Sequence, residues 1–75
     1  MITYTDAKAK ALFINKRINA CKEFNLAYHF YCKNDQKERT LDNDIVILKE
    51  TGKIINFSTF ILDYHPEKNP REIAF

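Results

Sequence analysis

Glycine occurs once in these 75 residues, tryptophan never, and proline and cysteine twice each. Each scarcity closes off a class of explanation. A phosphate-cradling loop needs several glycines so that backbone can approach the phosphates, so a single glycine removes both the P-loop and the dinucleotide fingerprint. Thr51, Gly52 and Lys53 share residue types with a nucleotide motif, but no helical pattern follows them. Two cysteines, Cys21 and Cys32, are too few for the disulfide framework of a small secreted scaffold, and a reducing compartment is expected. The first residues lack a basic start followed by an apolar run. No apolar stretch approaches the ~20 residues of a membrane span, so a soluble, cytoplasmic protein is expected. Charge of one sign is also lacking: 12 Lys and Arg face 10 Asp and Glu, for a net charge of +2.

Apolar material, by contrast, is plentiful. Hydrophobic residues make up 45% of the chain and aromatics 13%, more than a disordered segment carries. Residues 1–75 are therefore expected to form a single small domain. A domain of this length buries only about 60% of its unfolded surface, which makes docking or self-association a plausible further source of stability. Ile, Lys and Asn, all with AT-rich codons, are abundant. That leaning fits a bacterial, phage or mobile-element source and says nothing about chemistry.

The spacing of Ala7, Ala11, Ile14, Ile18 and Cys21 by fours and threes places them in one stripe at 100° per residue. It predicts an amphipathic helix of about twenty residues ahead of Asn25. Thr3 with Asp6 three residues later forms a candidate capping box, with Ile2 as staple and Thr5 as the alternative cap. Leu12 breaks the polar side of this helix and is a candidate to face a partner. Leu26 to Cys32 is dense in aromatics and reads as a strand. Leu26, Tyr28, Phe30 and Cys32 share one face of it, and Ala27, His29 and Tyr31 the other. Asn34 to Asp44 is polar and loop-like; Arg39 to Leu41 could add a short edge strand, but the surrounding Asp and Asn residues favour turns.

Ile45 to Lys49 and Ile54 to Leu62 flank Glu50, Thr51, Gly52 and Lys53, a hairpin pattern with the one glycine where positive φ is needed. In the second arm, alternation assigns Ile55, Phe57 and Ile61 to the core and Asn56, Ser58 and Phe60 to the other face. Asn69, Pro70 and Glu72 suggest a final helical turn, with Ile73 and Phe75 docking the tail. The expected fold class is α+β: an N-terminal amphipathic helix packed on a three-stranded antiparallel sheet (α-β-β-β), with a short C-terminal tail.

Chemistry is sparse. Cys21, His29, Cys32 and His65 would suffice in number for zinc, but His29 and Cys32, three apart, point to opposite faces of a regular strand. A pairing of Cys32 with His29 as nucleophile and base lacks a third, orienting group. Asp35, Glu38, Asp42 and Asp44 make an acidic cluster of the kind loops ordinarily contain. No catalytic residue, metal or cofactor is expected.

Two binding readings remain. Tyr4, Tyr28, Tyr31, Phe60 and Tyr64 join five phenylalanines in a fold expected to have one covering helix, and tyrosine is favoured at interfaces. The leading expectation is a small non-enzymatic inhibitor or regulator that docks onto a partner protein, a homodimer included. Its expected contacts are Tyr28, Tyr31, Phe60 and Tyr64, with Leu12. The alternative is a DNA- or RNA-binding regulator. Five basic residues against Asp6 and Glu23 give the helix segment +3, and Lys8, Lys16, Arg17 and Lys22 would meet phosphates.

Overall fold

In the computed structural model, which describes residues 1–33 and 44–75, the chain enters its first helix where the cap predicts. The Thr3 hydroxyl accepts from the Asp6 N–H at 3.2 Å, and α1 runs over Tyr4–Ile14. Ala7 and Ala11 are fully buried beneath it. The helix then stops well before Cys21. Asn15 leaves helical geometry, with φ −141° and ψ 106°, while its side-chain oxygen accepts from the Arg17 N–H at 3.0 Å. This local bond offers the backbone an alternative to another helical turn. Ile18 and Cys21 are buried as the stripe requires, but from a connection and a strand, and Ile14 is 52% exposed.

Five strands follow: β1 Ala20–Glu23, β2 Ala27–Tyr31, β3 Ile45–Leu48, β4 Ile54–Asn56 and β5 Arg71–Ile73. They form one antiparallel sheet in the order β4-β3-β2-β1-β5. The expected three-stranded sheet is thus widened by β1, cut from the predicted helix, and by β5, which replaces the predicted helical turn of the tail. β1 pairs Cys21 with Phe30 on one side and with Ile73 on the other. The segment 39–41, the candidate for a short edge strand among turns, lies outside the described residues.

The hairpin around Gly52 forms as expected. Leu48 and Lys53 are joined by a 2.9 Å bond, and the Gly52 N–H donates to the Leu48 carbonyl at 2.8 Å. Gly52 has φ 74°, and a Cβ there would lie 3.0 Å from Lys10 Nζ and 3.1 Å from Ile2 Cγ2. The backbone conformation disfavours a side chain, and an added Cβ would require Lys10 and Ile2 to give way. The second arm departs from expectation after three residues. The Asn56 side chain accepts from the Thr59 N–H at 2.7 Å, and α2 begins at once, over Phe57–Tyr64. Phe57, Phe60, Ile61 and Tyr64 stand at i, i+3, i+4 and i+7, so this run also satisfies the helical period. The placement of Phe60 is reversed: it is fully buried, and Ile61, expected in the core, is 41% exposed.

α2 covers part of the sheet face that a single helix would have left bare. Successive strand residues alternate faces. Tyr28, Phe30, Ile45 and Ile47 pack with Ala7 and Ala11 on the α1 side. Ala27, Val46 and Leu48 pack with Phe24 and Phe60 on the α2 side. The central strands β2 and β3 are consequently buried along their whole lengths.

Candidate functional site

Alternation on β2 directs His29 to the α2 side, where it meets the residue that opens the approach to β3. His29 Nε2 lies 2.9 Å from Asp44 Oδ2, and each residue is only 4% exposed. The imidazole also stacks on Phe57, with centroids 4.3 Å apart and planes at 12°. Phe24 and Tyr31 flank it at 6.3 and 5.3 Å. A carboxylate on one ring nitrogen and an aromatic face against the ring fix its orientation.

Beside this pair lies a cleft of about 730 Å³ between α2 and the connection to β5. Phe24, His29 and Phe57 contribute to its lining, together with Lys22, His65 and Lys68. Glu67 also lines it, and its carboxylate accepts from the Asn25 N–H at 2.7 Å. A second depression, of about 530 Å³, lies where the end of α2 faces the β1–β2 and β3–β4 turns. Met1, Leu26, Leu48 and Tyr64 line this groove, with Lys49 and Glu50 beside them. Met1 is 89% exposed, Leu26 52% and Tyr64 40%.

Glu23 ties three elements together. Its carboxylate bonds Lys49 at 2.7 Å and Arg71 at 2.8 Å, joining β1 to the end of β3 and to β5. Those two hydrogen bonds, Lys49 first, hold the Glu23 carboxyl below its ordinary value of 4.5. A folded-state pKa lowered in this way stabilises the fold above the unfolded value, and the contribution disappears as pH falls through the folded value. Acid titration of stability in the wild type and in Glu23→Gln should therefore give curves that converge below pH 4.5. At neutral pH they should differ by at most about 1 kcal/mol, because the pairs are partly solvated. A constant offset down to strong acid would refute this account.

The expected contact residues divide. Phe60 is removed from the surface by burial, and Tyr28 and Tyr31 are only 9% and 5% exposed. Tyr28 packs under Lys49 and against Tyr4, and Leu12 is half-buried against the α1-side core. Tyr64 alone of the five is well exposed. Phe60 is buried because it sits on α2 and faces the sheet, whereas Tyr28 is covered on the opposite face by Tyr4 and Lys49. Leu26, now in the β1–β2 turn rather than on the strand, was missed, although Asn25 ahead of it is a turn signal.

The basic residues do not form one helical face. Lys8 lies on α1, where its ammonium bonds the Phe75 carbonyl and sits 4.3 Å over the Phe75 ring. Lys16 and Arg17 are exposed in the turn after α1. Lys22 is on β1, 5.7 Å over the Tyr31 ring.

Burial pushes the Cys21 thiol up to about 12, so it stays protonated at neutral pH. Cys21 faces α1 and His29 faces α2, on opposite sides of the sheet. Asp35, Glu38 and Asp42 lie outside the described residues. Among the described residues, no group of three His, Cys, Asp or Glu side chains is placed to hold a metal. No helix there is long and apolar enough to cross a membrane. Comparison with protein-family models, curated proteins and solved structures finds no match to this chain.

Proposed function

We propose that the chain is a non-enzymatic binding module, an inhibitor or regulator that acts by docking onto a partner protein. The observation that carries this reading is the apolar groove in which Met1, Leu26 and Tyr64 stay open to solvent beside buried Leu48. Apolar side chains gathered in a concavity and rimmed by charge are the usual composition of a protein contact. Tyr64 adds a large ring with a polar tip at little entropic cost, and its neighbour Phe60 holds it from behind at 5.7 Å. The occupant that suits such a groove is an apolar side chain on a partner's helix or loop, with polar groups at its margin to meet Lys49 and Glu50.

The test compares affinity capture and concentration-dependent light scattering for the wild type, Leu26→Asp, and the double variant Lys16→Glu, Arg17→Glu. A complex retained by the wild type and the double variant but lost from Leu26→Asp is expected. Loss in the double variant with retention in Leu26→Asp would replace this reading with the nucleic-acid one. A strict monomer with no complex that depends on Leu26 would overturn it.

A further inference from the structure

The cleft beside His29 differs from the groove in its chemistry. Phe24, Phe57 and Ile61 give it apolar walls, and Pro66 and Pro70 close the side opposite α2. Its volume of about 730 Å³ falls within the range of small-molecule sites. The wall it presents is held in place rather than fluid. The His29 ring, 4% exposed, is pinned between Asp44 and Phe57, and Phe57 is itself the first residue of α2. A wall fixed from two sides needs no ordering when a flat ligand arrives.

The polar lining is biased toward positive charge. Lys22 and Lys68 carry it against one carboxylate, Glu67, which is oriented toward the Asn25 N–H at 2.7 Å, and His65 contributes an imidazole. His65 adds an independent observation. It caps α2 in the left-handed region, at φ 45° and ψ 58°, a place that glycine or asparagine would take with less strain. His65 occupies that position and lines the cleft.

We propose that this cleft binds a small, flat aromatic acid. The ring would pack among Phe24, Phe57 and Ile61, and the anionic group would lie toward Lys22, Lys68 and His65. The site is separate from the Leu26 groove, so the two readings stand or fall independently.

Benzoate is the probe, with benzamide and acetate as the ring-only and charge-only controls, followed by two-dimensional amide NMR on the full chain. Saturable shifts are expected at the amides of Phe57, Ile61, His65, Glu67 and Lys68. Benzamide should bind about fivefold more weakly, the ratio given by ~1 kcal/mol of partly exposed ion pairing. Acetate should leave those amides unmoved. Lys68→Glu, at an exposed position, should weaken benzoate by a similar factor without changing the melting temperature. Leu26→Asp should leave benzoate binding unchanged. Shifts centred on Leu26 and Tyr64, shifts that never saturate, or equal affinity for benzoate and benzamide would each overturn the proposal.

Discussion

Phe60→Ala is expected to destabilise the fold by about 3–5 kcal/mol, the cost of removing a fully buried phenylalanine and leaving a cavity behind. Phe60 has no exposed surface, meets Phe24 edge-on at 5.1 Å and 78°, and packs with Ala27, Val46 and Leu48. A chain of 75 residues has a total stability of about 4–11 kcal/mol, so this one substitution should bring the variant close to unfolding. Urea denaturation followed by circular dichroism measures it. The informative comparison is Ile61→Ala, which should cost much less because Ile61 is 41% exposed. A continuous strand through Leu62 would make the opposite assignment, with Ile61 inside and Phe60 outside. If Ile61→Ala proves the more damaging, α2 is wrong. Phe13→Ala, at a position 88% exposed, should fall within about 0.5 kcal/mol of the wild type.

Asp44→Ala should destabilise by about 3 kcal/mol, because it leaves a buried imidazole without the carboxylate it was desolvated against. The two residues are equally buried and 2.9 Å apart, so little water is at hand to replace the lost partner. His29→Phe should also be costly, because it removes the imidazole that Asp44 faces at 2.9 Å in a buried place. Removing both partners together should cost clearly less than the sum of the single changes, since the bond between them is lost only once. A double-mutant cycle in urea should therefore show coupling on the order of 1–3 kcal/mol. Strict additivity would mean that the pair does not act as a unit. The placement of Asp44 directly before β3 adds a structural reason to expect the coupling: the pair ties the start of that strand to the middle of β2.

Much of the α2 side was written in the chain in a form that admits two readings. Ile45 to Leu48 is an uninterrupted apolar run, which suits a strand covered on both faces, and that alone implies a second covering layer. Phe57 to Tyr64 fits alternation at Phe57, Thr59 and Ile61 and also fits the helical spacing of Phe57, Phe60, Ile61 and Tyr64. Asn56, three residues before Thr59, was the local cue in favour of the helix, and it is the bond that forms. The candidate site depended on the same choice. His29 was visible as the lone imidazole of an aromatic strand, but its partner Asp44 was hidden among other loop acids. Its stacking partner Phe57 could be placed only once α2 existed. The second helix accounts for the burial of Phe60, while Tyr28 is covered on the α1 side by Tyr4 and Lys49, contacts that no local pattern announces.

By itself the amino-acid sequence determined what short-range physics decides. The Thr3 cap starts α1 and the lone Gly52 turns β3 into β4, because each rests on bonds or sterics within a few residues, and the aromatic run marks β2 by its composition. Only the tertiary structure decided where α1 ends, where β4 gives way to α2, and that residues 71–73 join the sheet. Those segments are short, and Phe57 to Tyr64 fits both periodicities. The outcome is set by which alternative buries Cys21 against Phe30 and Ile73, and Phe60 against Phe24, at sequence separations that no local pattern encodes.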